Sequence, residues 1–263
     1  MTNDETNRTR AAFDVPATAY QKLIGRYLGT LAPAFADAAG VVGGLRVLDV
    51  GCGPGGLTRE LARRAGPAAV SALDPSESFV QACAAANPGV DVRLGVAEEL
   101  PFEDATFDVT LASLVVGFMT DPIAGVREMA RVTRPGGTVA LCFWNYAEMP
   151  LLRTLFTTAA RFDPAQGAED RRLGTRDGEL VSVLRAAGVA DPHQQIIQAT
   201  AEYDGFDDWW SPVPLGVGPM GLFYRSLDEV QREQWRELAR DALGAPDGPF
   251  RSTAQAWCAC GTV

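Results

Sequence analysis

Apolar and polar positions along the chain fall into two alternating kinds of stretch from residue 45 onward. Short, nearly continuous apolar runs at 45–50, 69–73, 90–94, 107–112 and 138–144 read as buried strands. Between them, 56–65, 76–86 and 123–132 carry apolar residues at helical spacing. Turn signals punctuate the pattern at Gly66-Pro67, Asn87-Pro88-Gly89 and Arg134-Pro135-Gly136-Gly137. Short apolar strands alternating with helices predict a parallel sheet covered on both faces. Ligands of such sheets bind beyond the carboxyl ends of the strands.

On either side of this repeat the pattern differs. Residues 1–12 are polar and read as a frayed tail. Residues 16–38 have aromatic and apolar residues at helical spacing and predict one or two helices, broken near Pro33. After Trp144 the spacing predicts helices over 151–162 and 178–188 and strands over 193–203 and 250–260, with a charged loop within 147–175. The last two strands are separated by an insertion of about forty residues, long for a connection. It holds the run from Asp204 to Gly221, rich in Trp, Pro and Gly, whose part from Pro212 to Gly221 reads as a pocket lip, and a helix over 227–243.

The densest chemistry lies at 47–58, VLDVGCGPGGLT. An apolar strand ends in Asp49, and Gly51, Gly53, Gly55 and Gly56 follow before the next helix. A strand, a glycine turn and a helix start let a ligand touch the backbone, because a Cβ would block both turn and approach. Gly51, Gly53 and Gly56 satisfy the dinucleotide spacing, and Asp74 ends the second strand where an acid meets a ribose. A nicotinamide enzyme is thus one reading. Against it stand Asp49, whose carboxylate suits a cationic ammonium better than a pyrophosphate, the extra bare position Gly55, and the helical segment ahead of the first strand.

Four segments, VLDVGCGPGGLT, ALDPSESFV, GVAEELPFEDATFDVT and EMARVTRPGGTVAL, occur in order and together resemble the successive motifs of class I S-adenosylmethionine-dependent methyltransferases. The nearest likeness is to the subgroup similar to the ubiquinone and menaquinone biosynthesis enzymes. The resemblance covers roughly residues 40–145. It implies a Rossmann-like, seven-stranded, mostly parallel sheet with helices on both faces, an antiparallel last strand, N-terminal helices and a late lid insertion at about 204–249. The whole chain is then one domain: a helical cap (1–40), a cofactor core (41–145) and an acceptor-side half (146–263). Carried over residue by residue, Asp49, Gly51, Cys52, Gly53 and Gly55 would hold the methionine part. Asp74 would accept the ribose hydroxyls, a carboxylate having lone pairs for both. Pro75 and Ser76 would flank the adenine, Ala97 and Glu98 would meet its edge, and Ser113 and Leu114 would line the methionine side. Val96 stands where many relatives carry an acid, which leaves adenine recognition to Ala97 or Glu98. The cofactor implied is S-adenosylmethionine, and the acceptor is a small, apolar or aromatic molecule walled by Tyr20, Arg26, Tyr27, Trp144, Trp209 and Trp210. A protein that binds this cofactor without transferring its methyl group is the alternative of a different class.

Charge and cysteine content narrow the classes. A net charge of −10 disfavours phosphate-backbone partners, so no nucleic acid is expected. Arg59, Arg63 and Arg64 read as a solvated helix face. Five scattered cysteines and one histidine make neither a disulfide framework nor a zinc set. No metal is expected, and free thiols suit a reducing compartment. His193 follows Asp191-Pro192 and reads as a surface residue. Without a signal-like or membrane-spanning run, a cytoplasmic location is expected. Oligomeric state leaves no mark in the sequence.

Overall fold

The computed structural model describes residues 17–166 and 172–263. The tail expected over 1–12 and part of the charged loop lie outside them. Two N-terminal helices, α1 (Ala17–Leu23) and α2 (Gly25–Ala38), precede β1 (Val47–Val50), α3 (Gly56–Ala65), β2 (Val70–Asp74), α4 (Glu77–Ala86) and β3 (Asp91–Leu94). Then come β4 (Phe107–Ser113), α5 (Pro122–Val132), β5 (Thr133–Trp144), α6 (Pro150–Ala159), α7 (Glu179–Ala186) and β6 (Ala190–Tyr203). The insertion folds as α8 (Phe206–Trp210), α9 (Gly218–Ser226) and α10 (Glu229–Ala242), and β7 (Phe250–Thr262) follows.

The sheet runs in the order β3-β2-β1-β4-β5-β7-β6. Neighbours from β3 to β5 are parallel, and β7 lies antiparallel between β5 and β6. Strand order reverses between β1 and β4, so a crevice opens above their carboxyl ends. Alternation along each strand divides the core between the faces. Val47 joins the core that contains α1, α2 and the insertion, whereas Leu48 and Val50 join the one that contains α5 and α7. None of the described helices is long and apolar enough to cross a membrane.

Local chemistry explains several element ends. Asp121 caps α5 by accepting a hydrogen bond from Ala124 N–H at 3.0 Å, with Pro122 next in the chain. Asp228 and Gln231 form a reciprocal capping box at α10.

Three expectations are corrected here. Helix α2 runs straight through Pro33, and the break falls at the junction with α1. Leu31, Ala32, Phe35 and Ala36 are buried on both sides of the proline, and that packing outweighs the lost backbone bond. The Arg134–Gly137 turn lies inside β5, where the register against β4 shifts between Phe107 and Val109. Arg64 is not a solvated residue, since it pairs with Glu60 and Asp37 and donates to Pro33 O, tying α3 to α2.

Candidate functional site

A cavity of about 500 Å³ opens over the carboxyl ends of β1, β2, β4 and β5. The fold gathers its walls from distant parts of the chain. Gly51, Gly53, Asp74, Pro75, Ser76, Ala97, Glu98, Ser113 and Leu114 all line it, as does Val96. Tyr20 and Trp144 line it too.

The polar end is built around two carboxylates. Asp74 closes β2, where Oδ2 accepts from Gly53 N–H and Oδ1 from Ser76 N–H, each at 2.9 Å. Burial pushes its carboxyl up to about 6, against the lowering effect of those two bonds. Asp49 is only 1% exposed and does not line the cavity. Its Oδ2 accepts from Thr58 Oγ1 at 2.6 Å, and Oδ1 has no hydrogen-bond partner among the described residues. Burial, helped by the charge of Asp74, pushes it up to about 7. Burial, and then Asp74 and Asp49 in turn, also push the Tyr20 phenol up. Tyr20, Leu23 and the junction residue Ile24 thus cover the acidic end, with Tyr20 packed on Phe79 at 5.6 Å.

The glycines divide by role. Gly53 has φ +52, and a Cβ there would meet nothing within 4 Å, so the backbone stands bare beside the cavity. Gly55 does not reach the wall. A Cβ on it would strike Asn87 and Cys83, so its bareness serves the packing of α4 against the loop. Cys52 is likewise off the wall, buried beside Cys83, and the neighbouring Cys83 thiol together with burial pushes Cys52 up.

The apolar end is made partly by residues the sequence did not single out and partly by the stretch 212–221 that it read as a pocket lip. Phe118 and Met119 come from the loop after β4, Leu155 and Phe156 from α6, and Pro219 and Met220 from the first turn of α9. The signal of Leu155 and Phe156 was present as apolar residues at helical spacing, which cannot be told from ordinary core before the chain is folded. Leu114 adds a strained backbone at φ +62, in the left-handed region that costs a branched residue about 1 kcal/mol.

Four residues expected on the acceptor wall are not brought to it. Arg26 is held by Asp208, accepted by Glu202 O at 3.1 Å, and stacked over Tyr203. Tyr27 is fully buried, donating to Ser252 Oγ at 3.0 Å and packing edge-on against Trp144. Trp209 and Trp210 sit in an aromatic cluster with Phe206, Tyr224 and Trp235. Aromatic rings gain most by packing together, which here joins the helices of the insertion to one another. His193 is exposed on β6, opposite Cys260, as its surface reading expected. No metal-ligating cluster occurs among the described residues.

Sheet order, glycine loop and the acid ending β2 together are those of the class I methyltransferase fold. Residues 48–141 match the family model described as a methyltransferase domain. A probable phthiotriol/phenolphthiotriol dimycocerosates methyltransferase 2 of Mycobacterium ulcerans is 41% identical over 99 residues, 37% of this chain and 38% of that one. A malonyl-[acyl-carrier protein] O-methyltransferase of Erwinia pyrifoliae is 45% identical over 96 residues, 36% of each. The chain thus matches less than half the length of these curated relatives. The crystal structure of the YcgJ protein of Bacillus subtilis shares the fold, with a TM-score of 0.55 at 19% identity, covering 88% of this chain and 97% of that one.

Proposed function

We propose that this protein transfers a methyl group from S-adenosylmethionine to a small, apolar or aromatic molecule. The observation that carries the reading is the acidic end of the cavity: two buried carboxylates with raised pKa values and no cation against them among the described residues. Buried charge of one sign is costly unless a ligand brings the other. A ligand with an ammonium group, a sulfonium and ribose hydroxyls answers that need, and the bare backbone at Gly53 leaves room for it.

When bound, the cofactor supplies a methyl group already activated on a positively charged sulfur. The tasks left to the chain are binding, orientation and exclusion of water. Asp74 retains lone pairs for ribose hydroxyls beyond its two backbone bonds. Asp49 contributes negative potential from behind the loop rather than a lining atom. Pro75, Ser76, Val96 and Ala97 lie where the adenine would rest, and Ser113 and Leu114 beside the methionine part. Phe118, Trp144, Phe156 and Met220 form a dry apolar end in which an acceptor is oriented toward the sulfonium.

Calorimetry with S-adenosylmethionine, S-adenosylhomocysteine and NAD tests the donor. Binding of the first two in preference to NAD is expected, whereas a preference for NAD would return the site to the oxidoreductase reading. A panel of neutral aromatic and aliphatic acceptors, read by mass spectrometry for a gain of one methyl group, tests the transfer. Tight donor binding with no methylated product would mean a cofactor-binding protein that transfers nothing.

A further inference from the structure

Glu98 lines the cavity where a contact to adenine was expected, yet its carboxylate is engaged elsewhere. Oε1 accepts from Thr120 N–H at 2.7 Å and from Asp121 N–H at 3.2 Å. These amides close the loop that follows β4. The same loop carries Val115, Phe118 and Met119 on the cavity wall and ends in the Asp121 cap of α5. Glu98 itself belongs to the segment after β3, a strand separated from β4 in the sheet by β2 and β1. It therefore ties the segment after β3 to the loop after β4, and its charge lies at the start of α5, where unpaired amides favour an anion. Its neighbour Glu99 points to solvent and is bridged only to Val96. Beside the bridge, Ala97 packs against the α5 side of the crevice so closely that a Cβ at Gly125 would lie 3.3 Å from the Ala97 Cβ.

We propose that Glu98 is a positioning residue: it tethers the loop 114–121 across the cavity and holds the wall shared by donor and acceptor, without touching the adenine amino group. The proposal rests on the donor reading given above. A tether and a direct contact differ in what they do to a donor analogue lacking the amino group. Removing a tether weakens every donor alike. Removing a direct contact weakens only the adenine compound. Gln keeps an acceptor oxygen for both amides, while Ala keeps none.

The test uses the full chain as wild type, Glu98→Gln and Glu98→Ala. Calorimetry measures S-adenosylhomocysteine and its inosine counterpart, in which an oxo group replaces the adenine amino group. Glu98→Ala is expected to weaken both by about ten-fold, the loss of one charge-assisted hydrogen bond, and Glu98→Gln to restore most of it. Amide hydrogen exchange on ligand-free protein is expected to quicken at Thr120 and Asp121 in Glu98→Ala and much less in Glu98→Gln. A loss confined to S-adenosylhomocysteine would overturn the proposal in favour of direct adenine contact. Unchanged exchange at both amides would overturn it too. If wild type bound neither compound, the donor reading would fail, and the exchange experiment would still decide the tether.

Discussion

At the scale of single residues, the site is governed by the electrostatics of Asp49 and Asp74. Both carboxyls are raised in the folded chain above the value of about 4 found in an unfolded one. The folded state therefore binds more protons between pH ~4 and ~7, and stability from these groups falls as pH rises through that window. Ligand-free protein should melt lower at pH 8 than at pH 5.5. Asp49→Asn should flatten that slope and raise stability at pH 8 by about 1–3 kcal/mol, since it removes a buried, uncompensated charge. Thermal melts at the two pH values check both statements. Donor binding has the opposite dependence. It requires ionised carboxylates, so S-adenosylhomocysteine affinity should drop as pH falls from 7.5 to 5.5, with proton release visible by calorimetry in two buffers near pH 6. Asp74→Asn should weaken that binding by at least about ten-fold, as loss of a charge-assisted acceptor predicts. Retained affinity would remove Asp74 from the ribose role.

At the scale of elements, the N-terminal helices and the insertion act as a clasp. Arg26 on α2 grips Asp208 on α8 with two bonds, and the Arg26 guanidinium holds the Asp208 carboxyl below the usual carboxylate range. Arg26→Ala should cost about 1–2 kcal/mol, the range for a partly exposed charge-assisted pair. Denaturant melts would register the loss while leaving donor affinity unchanged. Trp209 lies deeper, 1% exposed among aromatic rings. Trp209→Ala should cost about 3–5 kcal/mol through the cavity it leaves. An undiminished melting temperature would contradict its place in the core. The tandem Asp207-Asp208-Trp209-Trp210 shows why element-level reading falls short. Its composition suits a pocket wall as well as a core, and only the neighbours Phe206 and Trp235 decide between them.

At the scale of the whole molecule, the cavity joins an acidic end at β1 and β2 to an apolar end closed by α6 and α9. Filling the apolar end should separate the two. Met220→Trp is expected to leave S-adenosylhomocysteine affinity within about two-fold while lowering methyl transfer to an identified acceptor at least ten-fold, about 1.4 kcal/mol of barrier. Equal loss in both measurements would show that the ends are not separable. The sequence by itself determined the alternating strands and helices, and with them the glycine loop at β1 and the acid ending β2. Those features are local, set by apolar period, turn chemistry and residues adjacent in the chain. Tertiary structure alone decided that α2 passes through Pro33, that Asp49 sits behind the loop instead of on its surface, and that Glu98 binds Thr120 and Asp121. It also chose Phe156 and Met220, not Trp209 and Trp210, for the cavity wall. Such choices depend on contacts between residues far apart in sequence. Hydrophobic burial is non-directional, so an apolar residue's identity shows that it will be buried and not against what.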